Sequence, residues 1–193
     1  MWKISLVNVI IFGPPGAGKG TQANNIVKKF DLYQVSTGDL LRKEVKNQTE
    51  IGKHIENIIS KGDFATDEIV NELIKNIVFD PIKKNKLIFD GYPRSLSQAE
   101  NLEVLLSSSN QKIDFIFFLD VKKETIIQRL EKRKIIEKRS DDTMITILKR
   151  YDTYMETTKP VLDFYSKNSS FFKINGDVKI EEISGKIEQI LSV

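Results

Sequence analysis

The sequence predicts an α/β fold in which a five-stranded parallel sheet is wrapped by helices. Two patterns carry that expectation. Five short apolar runs, Val7–Phe12, Tyr33–Val35, Leu87–Phe89, Phe115–Leu119 and Phe171–Ile174, are rich in Val, Ile and Phe and do not alternate with polar residues. Strands covered on both faces read this way. Stretches of helical periodicity separate them, at Thr21–Phe30, Ser97–Leu106, Lys123–Lys132, Asp142–Lys167 and Lys179–Leu191. Strand and helix in alternation imply βαβ units, which close into a parallel sheet.

Taken in order, the first run leads into a helix through Gly13-Pro14-Pro15-Gly16-Ala17-Gly18-Lys19-Gly20-Thr21. This strand–GxxxxGK–helix order is a P-loop. Its glycines let successive backbone N–H groups turn inward on phosphate oxygens, and the helix that follows adds the positive end of its dipole. Lys19 adds a full charge. The motif departs from the general pattern at one place: Gly20 stands where Ser or Thr is usual, and the hydroxyl comes next, at Thr21. A magnesium ion here would rely on water and a distant carboxylate.

After the second run, residues 36 to about 66 read as two short helices broken near Gln48 and Gly62, with no strand between them. Lys134–Ser140 reads as a short polar loop. Both are insertions above the sheet, where α/β proteins bind ligands. Pro160 interrupts the long helical stretch and should kink or restart it. His54 and Trp2 are expected to be a surface side chain and sheet-edge packing.

The 193 residues suit one domain with a sizeable core, and 40% hydrophobic with 30% charged residues suits a globular chain. With no cysteine, disulfides and thiolate zinc sites are excluded, which suits a reducing cytoplasm. The longest apolar run, Ser5–Phe12, is too short to span a bilayer and enters a Gly/Pro loop without a cleavage pattern. Net charge is only +3, yet Lys122–Arg150 alone carries +5, ten basic residues minus five acidic. Such a segment fits nucleic acid, a phosphorylated small ligand, or a solvated helix face.

Four blocks narrow this choice. GPPGAGKGTQ (Gly13–Gln22), STGDLLR (Ser36–Arg42), DGYPRSLSQ (Asp90–Gln98) and RSDD with KRY (Arg139–Asp142, Lys149–Tyr151) stand in this order. In sequence and spacing they resemble the signature blocks of the adenylate kinase family, and the resemblance spans essentially the whole chain. It implies a P-loop NTPase-like five-stranded sheet with a small monophosphate-binding insertion at residues 36–66 and a short lid at residues 133–141. It also implies reversible phosphoryl transfer from ATP to AMP, with Mg²⁺, giving two ADP. Phosphoryl transfer needs in-line positioning and neutralisation of spread negative charge, hence arginines from several segments and a carboxylate near the metal.

Carried over residue by residue, Gly13, Gly16, Ala17, Gly18, Lys19, Gly20 and Thr21 would cradle ATP. Arg129 would lie near the donor adenine. Ser36, Thr37, Arg42, Gly91, Arg94 and Gln98 would hold AMP, with Arg42 and Arg94 on its phosphate. Arg133, Arg139 and Arg150 would close over the transferring group. Asp90 would organise magnesium-bound water, with Thr21 the other candidate. Asp141 and Asp142 either orient the lid arginines or begin the next helix. No general base is needed, because an AMP phosphate oxygen is already nucleophilic.

Thr37 and Gln98 match the family's adenine-selecting pair; relatives acting on uridylate or cytidylate tend to carry Ala and Asn there. Asp63, Phe64 and Ala65 depart from the family's commoner Lys or Gln, Leu and Val, and Tyr92 replaces Phe. Only Lys134–Lys138 separate Arg133 from Arg139, so the β-rich lid of long-form relatives has no room, and with no cysteine its zinc is excluded too.

Other classes are weighed against this one. A P-loop GTPase would carry Asn-Lys-x-Asp and Asp-x-x-Gly, and neither string occurs. A nucleic-acid-binding protein would interleave aromatics with the charges, but Lys122–Arg150 has none. Within the class, a UMP/CMP kinase or another monophosphate kinase is the alternative. The chain is expected to act as a cytoplasmic monomer on ATP, AMP and ADP, without nucleic acid or membrane partners.

Overall fold

The run expected as a strand from Val7 pairs only over Val9–Phe12 (β1). Asn8, fully buried, takes over the hydrogen bonding before it in the computed structural model, which describes residues 6–61, 63, 65–137 and 143–192, the side chains of 134–137 excepted. The Asn8 side chain donates to the Lys112 carbonyl at 3.0 Å and to Gln111 Oε1 at 3.3 Å, and it accepts the Leu87 N–H at 3.1 Å. One amide thus pins three segments at the entry edge of the sheet, where a lone backbone could satisfy fewer of them.

The remaining strands are Tyr33–Ser36 (β2), Leu87–Asp90 (β3), Phe115–Asp120 (β4) and Phe171–Asn175 (β5). All pair in parallel, in the order β2-β3-β1-β4-β5. This is the predicted five-stranded sheet. The register sets Ser36 beside Asp90, Asp90 beside Ile11 and Asp120 beside Asn175, so the carboxyl ends of the strands form one rim. From β1 the chain builds β2 and β3 on one side and then β4 and β5 on the other, so the crevice at the rim opens around the end of β1.

Parity along the strands builds two cores. Ile10, Phe12, Leu87, Phe89 and Ile116 face one layer, which includes the helices Asp67–Val78 (α4), Leu96–Ser108 (α5) and, after a break, Lys159–Ser166 (α8). Val9, Ile11, Ile88, Phe117 and Leu119 face the other, formed by Lys19–Phe30 (α1), Lys123–Glu137 (α6), Met144–Thr153 (α7) and Ile180–Leu191 (α9). A parallel sheet covered on both faces explains the unalternating runs.

Within residues 36–66 lie the two expected helices, Thr37–Lys46 (α2) and Glu50–Ser60 (α3). Ser36 caps the first through the Asp39 N–H and Thr49 the second through the Gly52 N–H. Gly52 lies so close to α2 that a Cβ there would stand 2.0 Å from the Glu44 carbonyl oxygen. His54 is exposed, as expected.

Three readings need correction. Helix α4 was not foreseen, although Asp67 and Glu68 in its first turn and Val70, Ile74 and Val78 on its buried face give it ordinary helical patterning. The polar loop expected at Lys134–Ser140 does not start at Lys134, because α6 continues to Glu137, with no helix breaker among Lys, Ile and Glu; residues 138–140 lie outside the described residues. The long helix expected over Asp142–Lys167 starts at Met144, with a Thr143–Thr146 capping box, and passes through a π-helical turn at Tyr154–Thr158 before α8. Pro160 lacks the N–H that would continue the ladder, and the Lys159 N–H reaches back five residues to the Tyr154 carbonyl. Trp2, Phe64, Arg139, Asp141 and Asp142 lie outside the described residues.

Candidate active site

The loop between β1 and α1 is central to the rim. Gly18 takes a left-handed conformation (φ 95°) at the start of α1, and no side chain caps that end. A helix start without a side-chain cap presents N–H groups that an anion can take. Gly16 is also left-handed (φ 83°), and a Cβ there would stand 2.8 Å from the Leu130 side chain, so α6 closes tightly against the loop. Lys19 Nζ donates to the carbonyls of Gly13 at 2.8 Å and Pro14 at 3.1 Å, folding back over its own loop.

Asp90 ends β3 beside this loop. Gln34 Nε2 donates to its Oδ2 at 2.9 Å, and a Cβ on Gly20 would lie 3.4 Å from the same oxygen. Thr21 is exposed on the first turn of α1 and lines the same large cleft as Asp90.

Around Asp90 the cations gather. Burial pushes the Lys19 ammonium down to about 8, Asp90 opposes that, and Arg94, Arg150 and Arg133 add to it. Burial likewise lowers Arg94 to about 10, helped by Arg150 and Arg42 and opposed by Asp90. Lys19 and Arg94 are thus disfavoured as cations by burial and by their cationic neighbours, the electrostatics of a site suited to polyanions. Five cations come from five segments: the P-loop, α2, the turn after β3, α6 and α7.

The cavities share this centre. One is lined by Thr37, Leu41, Arg42, Val70 and Gln98, beneath α2 and α3. Another runs along the P-loop to Pro93, Tyr154 and Thr158. A third, the broad cleft, extends from Lys19 past Arg129 and Arg133 to Ile180. Arg94 and Arg150 line all three.

Individual placements refine the expectations. Arg94 Nε donates to the Gly91 carbonyl at 2.7 Å, and Thr37 Oγ1 donates to the same oxygen at 2.9 Å, joining the STGD and GYPR blocks. Arg42 pairs with Asp39 at 2.5 Å on the exposed side of α2. Arg129 donates to the carbonyls of Ala17 at 3.2 Å and Gly176 at 2.7 Å, so it ties the P-loop to the turn after β5. Ser36 Oγ accepts the Asp39 N–H at 3.3 Å as the α2 cap, and Ser36 also lines the broad cleft. Asp63, the departure noted in sequence, pairs with Lys149 at 2.6 Å and so links the end of the insertion to α7, one residue before Arg150. The Tyr92 hydroxyl, which a Phe would lack, donates to Asn71 Oδ1 at 2.8 Å; burial pushes its phenol up to about 12, so it stays neutral.

Asp67 and Gln34 were missed. Asp67 accepts Gln98 Nε2 at 2.7 Å and Ser95 Oγ at 2.8 Å. Its signal in sequence was only that of a helix-starting acid. Gln34 stands one residue into a strand, and only the β2–β3 register brings it to Asp90.

A fit for a divalent ion can be judged from these donors. Among the described residues no three His, Cys, Asp or Glu side chains converge. One carboxylate beside a phosphate cradle suits Mg²⁺ nonetheless, since that ion keeps several waters and takes its other ligands from substrate phosphates. Among the described residues, no helix is long and apolar enough to cross a membrane.

Residues 11–170 match the family described as "Adenylate kinase". A protein of Pelagibacter ubique (strain HTCC1062) named "Adenylate kinase" is 46% identical, with 97% of this chain and 100% of that one covered. Proteins of the same name from Porphyromonas gingivalis (strain ATCC 33277) and Mycoplasma capricolum (strain California kid) are 37% and 35% identical, covering 96% and 97% of this chain and 96% and 100% of theirs. The first and last of these alignments span 213 and 215 positions, so those relatives carry residues for which this chain of 193 has no counterpart.

Proposed function

Because the chain belongs to the adenylate kinase family, we propose that ATP lies over the P-loop and AMP under α2 and α3, with their phosphates meeting between Arg94 and Arg150. The reaction is the reversible transfer of the γ-phosphoryl group of ATP to AMP, giving two ADP. The observation that carries this placement is the shared lining: two arginines border both the P-loop cavity and the cavity of the insertion, where two nucleotides would abut end to end.

In this reading Lys19 leaves the Gly13 and Pro14 carbonyls to contact the terminal phosphates, joined by loop N–H groups and the α1 dipole. Arg42 and Arg94 hold the AMP phosphate, and Thr37 and Gln98 read its base. Arg150 and Arg133, with Arg139, neutralise charge on the transferring group, whose transition state spreads it over three oxygens. Arg129 keeps the P-loop in register with the turn that borders the donor side. Mg²⁺, held through water by Asp90 with Thr21 nearby, would supply charge neutralisation between the phosphates. The AMP oxygen is itself the nucleophile, so the side chains position and stabilise rather than abstract a proton. We take the chain to act as a monomer in the cytoplasm, where such nucleotides turn over.

Initial rates with ATP as donor and AMP, UMP, CMP, GMP or dAMP as acceptor test the assignment. AMP should give the highest kcat/KM. Preference for UMP or CMP would transfer the cavity to a different monophosphate.

A further inference from the structure

Gln98 can present its side-chain amide to a base in two opposite polarities, and the structure leaves it one. Its oxygen Oε1 lies 2.7 Å from the backbone N–H of Arg94, a group that can only donate. Its Nε2 lies 2.7 Å from Oδ1 of the Asp67 carboxylate, which accepts. Asp67 is held in turn: its Oδ2 accepts from Ser95 Oγ at 2.8 Å, and Ser95 Oγ accepts the Gln98 backbone N–H at 3.1 Å. Turning the amide over would set N–H against N–H at Arg94 and oxygen against oxygen at Asp67. Gln98 is only 4% exposed, so water cannot repair either clash cheaply.

From this ring we infer that Asp67 is a positioning residue that fixes acceptor selectivity by locking the polarity of Gln98. The inference rests on the reading of the Gln98 cavity as the AMP site. With Oε1 and Nε2 each half used, the free edge offers one acceptor site and one N–H in fixed order. Adenine presents the complement, an amino donor beside the N1 acceptor. Hypoxanthine and guanine present the inverse, a carbonyl acceptor beside an N1–H donor, and uracil is inverted too. The lock therefore rejects 6-keto purines by leaving buried polar groups unpaired, a stronger form of exclusion than shape alone. Asp67 does not line the cavity, so it acts through Gln98.

The test is acceptor selectivity in Asp67→Asn. The replacement keeps the shape, but its own amide can face Gln98 with either oxygen or nitrogen, so the lock opens at that end. The ratio of kcat/KM for IMP to that for AMP should rise about 10-fold or more. KM for AMP should rise as well, while KM for ATP stays as in the wild type. Ser95→Ala, which removes one tether of Asp67, should move the ratio the same way by less. A folded variant that loses activity with AMP and IMP in equal proportion would overturn the inference, since an anchor between α4 and α5 alone would act in that way. A wild-type enzyme that uses IMP as well as AMP would overturn both the lock and the base-reading role of Gln98. A wild type selective for AMP, with unchanged ratios in both variants, would overturn the lock alone.

Discussion

Lys19→Met should remove nearly all turnover and, in the absence of nucleotide, leave the fold at least as stable as the wild type. Burial lowers the ammonium to about 8 from the ordinary 10.5. At about 1.4 kcal/mol per factor of ten, that gap corresponds to a cost on the order of 3 kcal/mol, an upper bound because the cleft is open to solvent. Methionine removes the cost but also the bonds to the Gly13 and Pro14 carbonyls, about 1 kcal/mol each. The net expectation is a gain of about 1 kcal/mol, or a Tm higher by about 2–4 °C for a chain of this size. The sign with pH is specific. A lysine whose folded value is depressed costs stability fully below about 8, and the cost fades as pH rises from there towards 10.5. The variant's advantage should therefore be largest near pH 7 and shrink by pH 9.5. Thermal denaturation of both proteins at the two values, beside a coupled assay of ADP formation, checks this. We expect kcat to fall by about 10²–10³ or more. Near-normal kcat, or a less stable variant whose deficit does not depend on pH, would refute the reasoning.

Other expectations follow from the same geometry. Arg94→Ala should weaken AMP binding in isothermal titration with little effect on ATP. Arg150→Ala should lower kcat by about 10²–10³ with smaller changes in either affinity, as fits a charge engaged chiefly in the reacting state. Thr37→Ala with Gln98→Asn should lower kcat/KM for AMP by about 10–100-fold, the usual loss for a paired base contact. Gly52→Ala should destabilise by about 1–3 kcal/mol in denaturant titration, because its methyl group meets the α2 backbone rather than a side chain that could move. Asp63→Asn, which breaks a half-exposed pair with Lys149, should cost less than about 1 kcal/mol and matter least at high salt.

The sheet was legible because burial on both faces removes alternation from Val9–Phe12 and its partners, and the P-loop because its chemistry is local in sequence. The π-helical turn was legible only as an interruption at Pro160, since the five-residue reach of Lys159 depends on how the two halves pack. The partners of Gln98 and Asp90 were not legible. Asp67 lies 31 residues before Gln98, and Gln34 meets Asp90 only through strand register, so neither pairing leaves a pattern in a single sequence. The clamp by Arg129 was not legible in the same way: its guanidinium ties together two backbone turns that lie far from it in sequence. Long-range hydrogen bonds of this kind are fixed by topology, and topology is what the helical and strand periodicities do not encode.

The central claim is that one cleft joins two adenine nucleotides and moves a phosphoryl group between them in either direction. It is tested most directly by supplying the protein with Mg²⁺ and ADP alone and following the products by ³¹P NMR. The account predicts ATP and AMP in equal amounts, with no inorganic phosphate. AMP with free phosphate, or no ATP at all, would contradict it.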